Sequence, residues 1–510
     1  MNSRAFPSIE RLEDRIAPSG LITVSYAGGH LALAGDAGDH SLGIEFADPS
    51  TLVLRAFDGT SLVVNGKAQT SPVSIAAFAG NVEATLGGGR DTIQIGPGMF
   101  PGDVSIDLGG GENRLIAGDL TVAGNLSVTG AAGADHVAFA GKATTIGGDA
   151  SLELGDGANE VAAGLGAFLV GRNLGVKTGR GSDSLVFGGT GFAIGGDTTV
   201  TSGAGSDVVG FFATKIGLFG GKLSVAGSSG AGQAERFTFS GDEQILFHGA
   251  IAITTGDGNG AVALQSGGRL HAQSDLSIDT NHGSHRAHVT AKDVTVDGSV
   301  SVTSRGSVDL KVAATDNLNI GGNVRIAGGS GADHVMIAGG GKIAGAVSVD
   351  VGAGNHQSIT LAGTSEQPLV TQGDVTLIQG GAGGTNTTTI LNSEFGSSFV
   401  LKSNSPRDTI KLASVLFDGG SILGTAAAAN PFDLGHLAIT PAGLVSNPLD
   451  SLVTVPRSLA AIIATEGAHL PSAAAGSVLD SAGTVDLTSH GLTSDSYQRL
   501  LGPLSVETAL

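Results

Sequence analysis

The stretch GAAGADHVAFAGKATTIGGDASLELG, Gly130 to Gly155, decides the fold. It opens on a Gly-rich turn ending in Asp135 and runs into an alternating segment with Val137 and Phe139 on one face. It turns again at Gly147-Gly148-Asp149 and closes on a second alternating segment carrying Ala150, Leu152 and Leu154. Period-two alternation marks half-buried strands and not a helix. The glycines give the bends access to positive φ.

The same pattern recurs on both sides. The first inward residue of the second segment falls at Val104, Leu126, Ala150, Leu174, Thr198, Leu223, Ile251, Leu276, Val300, Val324, Val347 and Val375, in steps of 22, 24, 24, 24, 25, 28, 25, 24, 24, 23 and 28. The turn residue keeps nearly the same step at Asp91, Asn113, Asp135, Asn159, Asp183 and Asp207, and reappears at Asp333. A fixed period of about 20 to 50 residues belongs to solenoids and propellers, and a propeller blade needs four strands in roughly 40 residues. These units have room for two or three short strands. The expected fold is therefore all-β, a right-handed parallel β-helix with coils of 22 to 28 residues stacked at about 4.8 Å. Ile93 and Ile95, Leu115 and Ala117, Val137 and Phe139, Val161 and Ala163, Leu185 and Phe187, Val209 and Phe211, and Val335 and Ile337 should form ladders inside it.

The repeat divides the chain into a leader over 1–20, a β-helix over 21–424 and a C-terminal cap and tail over 425–510. Units between 21 and 80 are less regular, as suits the end that covers the first sheet edge. Between Ser228 and Phe247 a longer step reads as an enlarged corner loop that keeps Phe237 and Phe239 inside. Past Thr425, Pro431, Pro441, Pro448 and Pro456 break the repeat. Ser458–Glu466 and Ser494–Leu501 read as short helices, the second with Ser494 or Asp495 as N-cap and Gly502 just beyond its end.

Composition agrees with thin coils: of 510 residues 85 are Gly, aromatics are 4% and Trp is absent. A formal net charge of −20 argues against nucleic-acid or anionic-membrane partners. The absence of cysteine removes disulfides, thiolate metal sites and thiol catalysis, and is permissive of export. No apolar run approaches the roughly 18 residues of a transmembrane helix.

The N-terminus, MNSRAFPSIERLEDRIAPSG, has no apolar signal-peptide core. Through Phe6, Leu12, Glu13, Arg15, Ala17 and Pro18 it resembles the LEPR-XLL kind of motif that opens large β-strand-repeat surface proteins of planctomycete-type bacteria, with Asp14 where that motif has Pro. The resemblance implies export to the cell envelope or beyond.

Gly328-Gly329-Ser330-Gly331-Ala332-Asp333-His334-Val335-Met336 fits the Gly-Gly-x-Gly-x-Asp-x-apolar-x nonapeptide in full, and so resembles RTX-type calcium-binding rolls. Gly130–Val137, Gly179–Leu185 and Gly203–Val209 fit in part. That resemblance implies calcium at Asp135, Asp183, Asp207 and Asp333. In those rolls the nonapeptides follow directly on one another, whereas here one motif occurs per coil, which leaves half the cage unsupplied. The competing reading is that Asp and Asn serve turn chemistry, their alternation diluting like charge up the stack. His282, His285 and His288 in NHGSHRAH have neither a usual metal spacing nor a carboxylate pair nearby, and read as an exposed corner loop.

No nucleophile elbow, zincin motif or phosphate loop occurs. The expectation is a non-enzymatic secreted or cell-surface solenoid with a structural or adhesive role, stabilised by calcium, and with a surface polysaccharide or envelope protein as partner. The alternative is a carbohydrate-active β-helix enzyme. A groove lined by three or more convergent charged side chains favours the enzyme; a smooth Gly, Ser and Thr surface favours the stalk.

Overall fold

A computed structural model describes residues 20–69, 72–164, 166–381, 385–403, 408–417 and 422–426. The leader motif between Phe6 and Pro18, the C-terminal cap and the two expected helices lie outside the described residues. Within them there is no helix.

Each coil carries three short strands. In the coil of the quoted stretch these are His136–Phe139, Ala143–Ile146 and Ala150–Glu153. The first and third are the two alternating segments seen in the sequence; the middle one was not resolved there, because its inward residues are Thr144 and Ile146, a polar and apolar mixture. The first and second strands of successive coils belong to one sheet of 27 strands and the third strands to a second of 19. We call the three rows the first, second and third faces.

The register follows the sequence ladders. On the first face Ile93, Leu115, Val137, Val161, Leu185 and Val209 are successive parallel partners. On the third face the whole series from Val104 to Val375 pairs residue for residue. In-register stacking sets identical rings over one another: Phe187 and Phe211 lie 4.8 Å apart, and Phe219 and Phe247 5.1 Å apart with ring planes at 2°. Phe237 and Phe239 are both fully buried beside the enlarged loop. Such close-packed columns combine area burial with aromatic stacking.

Corners are tight enough to demand glycine at particular positions. Gly133 has φ 141°, and a Cβ there would stand 1.8 Å from the carbonyl oxygen of Gly111 on the coil before.

The start of the rod differs from its body. Leu21–Ala27 pairs antiparallel with His30–Gly35, and Ser41–Asp48 pairs antiparallel with Thr51–Ala56. The second strand of the first hairpin and the first strand of the second then pair in parallel with Val82–Thr85 and Thr92–Ile95. The hairpins thus cover the first coil's edge and pass their register to it, which blunts an open sheet edge.

Further along, first and second faces fuse. Ser284–Val296 and Ser307–Ile320 are continuous strands of 13 and 14 residues that bend around the corner, with a register shift between Ala291 and Asp293.

Candidate functional site

The residue just before each first-face strand points inward at the corner. Asp135 precedes His136–Phe139, Asn159 precedes Glu160–Ala163, Asp183 precedes Ser184–Phe187, and Asp207 precedes Val208–Ala213. Asp333 holds the same place before His334–Ala338. All are sealed from solvent, Asp135, Asn159, Asp183 and Asp207 at 1% exposure and Asp333 at 0%. The four residues that sequence nominated for calcium therefore share one column inside the rod. Asp183 and Asp207 are neighbours on adjacent coils.

A repeated hydrogen bond builds this column. The backbone N–H of each coil donates to Oδ1 of the next: Asp91 to Asn113 at 3.0 Å, Asn113 to Asp135 at 3.2 Å, Asp135 to Asn159 at 3.1 Å, Asn159 to Asp183 at 2.9 Å and Asp183 to Asp207 at 3.0 Å. Val308 donates in the same way to Asp333 at 2.7 Å. At the base, His40 donates its N–H and approaches with its ring Nδ1 the same Oδ1 of Asp91. Short Asp and Asn side chains suit this role because they satisfy a neighbouring backbone donor.

Oδ2 of Asp91, Asp135, Asp183, Asp207 and Asp333 is buried without a hydrogen-bond partner. Burial dominates the electrostatics. It pushes the carboxyls of Asp135 and Asp207 up to about 6 and that of Asp333 up to about 7, with backbone N–H groups opposing it only in part. The negative charges of Asp183 and Glu235 add to the rise at Asp207. Hydroxyls of Thr178 and Ser202, also buried, face Asp183 and Asp207 without closing a hydrogen bond. Glu235 follows Asp207 in the column, and both its oxygens are satisfied by the N–H groups of Ser229 and Gly256, at 2.7 and 2.8 Å.

A second column, missed in the sequence, runs outside along the corner before the third face. Asn81, Asp103, Asn125, Asp149, Asn173 and Asp197 each precede a third-strand start, and Oδ1 of each accepts the N–H of the same position one coil later, the last from Lys222. Its polarity is opposite to that of the inner column. The signal was present as an Asx residue directly after a glycine in Gly80-Asn81, Gly102-Asp103, Gly124-Asn125, Gly148-Asp149 and Gly196-Asp197.

The histidines require a correction. His282 is exposed beside Asp257, but His285 starts a long strand and is buried, bonded to Thr255 Oγ1 at 3.2 Å and to the carbonyl of His282 at 3.1 Å. His288 points outward from that strand, with Nε2 3.5 Å from Asp309. NHGSHRAH is a turn that feeds a strand, since alternation from Ser284 onward overrides the loop-like composition of its start.

Asp309 anchors a small outward group with Arg286, and one coil later His334 Nδ1 lies 2.8 Å from Ser358 Oγ. Burial raises the Asp309 carboxyl, but the His288 hydrogen bond and the charges of His288, Arg286 and His334 outweigh it and leave it below the usual carboxylate range. An apolar groove of about 460 Å³ crosses the N-terminal hairpins between Phe46, Phe78, Met99 and Pro101, with Asp48 the one charged residue lining it. Among the described residues no group of three or more His, Asp or Glu side chains is arranged to hold a metal ion, and no helix is long and apolar enough to cross a membrane.

No family model, curated protein or solved structure matches the chain. Fold and corners together define a parallel β-solenoid, its coils joined by two Asx columns of opposite hydrogen-bond direction.

Proposed function

We propose that this solenoid is a non-enzymatic secreted or cell-surface rod with a structural or adhesive role. The observation that supports it is the outward surface of the third face. Ser105, Ser127, Ser151, Gly175, Thr199 and Ser224 follow one another as parallel partners, a flat column of hydroxyls and small residues. Such a surface offers many weak, repeated hydrogen-bonding positions. A long repeated face suits a polymeric partner, a surface polysaccharide or an envelope protein, since avidity accumulates over many equivalent contacts. Calcium belongs to the same reading at one place, the stacked carboxylates of Asp183 and Asp207.

The test is binding of the purified protein to immobilised envelope polysaccharide and to whole envelopes, with Ser127→Arg, Ser151→Arg and Thr199→Arg introduced together to roughen the face. Retention that the triple variant loses supports the proposal. Release of new reducing ends from soluble acidic polysaccharide would favour the carbohydrate-active enzyme instead.

A further inference from the structure

In the inner column the Asp and Asn coils use Oδ1 identically, and they differ in the second side-chain atom. Asn159 Nδ2 donates to the corner carbonyls of Gly155 at 3.0 Å and Gly157 at 3.3 Å, whereas Asn113 Nδ2 is shared between Gly111 at 3.4 Å and Asp135 Oδ1 at 3.0 Å, and Asn386 Nδ2 between Gly380 at 2.7 Å and Asp408 Oδ1 at 2.9 Å. The equivalent atom of Asp135 and Asp333 is an oxygen, buried and without a closed hydrogen bond, although the Gly329 N–H faces the Asp333 carboxyl and opposes part of the effect of burial. A corner glycine packs closely against each oxygen. A Cβ on Gly130 would stand 2.0 Å from Asp135 Oδ2, and one on Gly328 would stand 2.3 Å from Asp333 Oδ2.

The groups packed around each carboxyl are neutral. Asp135 lies between Asn113 and Asn159 in the column. Asp333 lies between Val308 and Gln357, whose Nε2 and Oε1 are already engaged by Val351 and Gly380. Their outward neighbours, His136 with Glu160 and His334 with Ser358, form pairs on the opposite side of the strand. An ionised carboxyl at either place would therefore be a buried anion without a counter-charge, its Asn113 donors or its Val308 and Gly329 N–H groups offsetting burial only in part. A proton on Oδ2 restores the pattern seen in the Asn coils.

We propose that Asp135 and Asp333 are proton-binding sites: each is a neutral carboxylic acid in the folded rod, its Oδ2–H donating to corner carbonyls as Asn Nδ2–H does, so that loss of the proton loosens the stacking of that coil. The rise of Asp135 to about 6 and of Asp333 to about 7, caused first by burial, agrees with this. Because the folded state holds these protons more tightly than the unfolded chain, the rod is most stable below the ordinary carboxylate value of 3.8 as far as these groups are concerned, and that advantage is lost as pH rises from there to about 7. Asp207 is a different case, since Asp183 and Glu235 bring charge to it.

The experiment uses the full chain in the presence of chelator. Infrared difference spectra between pH 5 and pH 8 should show a carboxylic C=O band in the wild type that titrates above pH 5 and is reduced in Asp135→Asn, Asp333→Asn. In thermal unfolding the wild type should melt higher at pH 5 than at pH 8, and the double variant should lose a measurable part of that difference, the rest belonging to Asp207, while melting above the wild type at pH 8. Complete ionisation of the wild-type carboxyls by pH 5, or an unchanged pH difference in a folded double variant, would overturn the proposal. If the variant fails to fold, the wild-type infrared titration decides by itself.

Discussion

Asp183 and Asp207 occupy the same corner on adjacent coils, the N–H of the first donating to Oδ1 of the second at 3.0 Å. Upstream, an amide always separates two carboxylates: Asn113 stands between Asp91 and Asp135, and Asn159 between Asp135 and Asp183. At Asp183 and Asp207 that spacing fails, and Glu235 follows directly. Three buried acids on successive coils concentrate charge at this level of the rod.

Calcium is tested at this break. Melting with millimolar calcium against chelator, at fixed ionic strength, should rise for the wild type by an amount set by mass action, and rise less for Asp183→Asn, Asp207→Asn. A wild-type rise no larger than the variant's would remove calcium and leave these residues as corner formers. Either result leaves Asp135 and Asp333, flanked by neutral residues, to the proton experiment.

Val137 and Ala134 are three residues apart, yet Val137 is fully buried and Ala134 is exposed. Val137→Asp places an unpaired carboxyl in the close-packed interior and should cost several kcal/mol, about 3 or more. Ala134→Asp should fall within about 0.5 kcal/mol of the wild type in urea unfolding. Equal losses would show that the register is wrong.

Two corner glycines should respond in opposite ways. Gly133→Ala must relieve both a positive φ and a Cβ 1.8 Å from the Gly111 carbonyl oxygen, and should destabilise by about 2 kcal/mol or more. Gly88→Ala meets nothing within 4 Å and carries no such φ. It should be neutral, or stabilise by a few tenths of a kcal/mol through the unfolded chain.

Asp309 should give a pH dependence of the opposite sign to Asp333. Its folded carboxyl lies below the ordinary 3.8, so the stability it adds is present above that value and is lost as pH falls through the folded one. Its side chain is 42% exposed, so solvent screening limits the effect: Asp309→Asn should lower stability at pH 7 by roughly 0.5 kcal/mol. The gap between variant and wild type should narrow as pH falls below 3.8. A constant gap would mean that Asp309 acts by shape alone.

The ladders were legible because alternation and turn glycines are local signals, and a parallel stack repeats them at a fixed step. The middle strand was hidden by Thr144, an inward polar residue on a face read for apolar ones. Alternation in the first 80 residues could not separate antiparallel from parallel pairing. Hairpin signals were there as Gly28-Gly29, between Leu21–Ala27 and His30–Gly35, and Asn65-Gly66, between the antiparallel strands Ser61–Val64 and Lys67–Gln69; both pairs have positive φ, as two-residue turns of twisted hairpins require. The inward direction of Asp135 and Asp333 was not legible, because an unpaired Asp is seldom buried. The folded chain shows it in their burial and in the closeness of their Oδ2 atoms to Gly130 and Gly328.

Within each coil the two Asx columns alternate together: Asp91 shares a coil with Asp103, Asn113 with Asn125, and Asp135 with Asp149. A genetic event that changes the length of the rod therefore meets a parity rule. Excising residues 92–113 would stack Asp91 on Asp135 and Asn81 on Asn125. Excising 92–135 would rejoin Asp91 to Asn159 and Asn81 to Asp149, leaving both columns in phase. In the upstream half of this rod the smallest length that can be removed without disturbing either column is a pair of coils, and that rule ends where Asp183 stacks on Asp207.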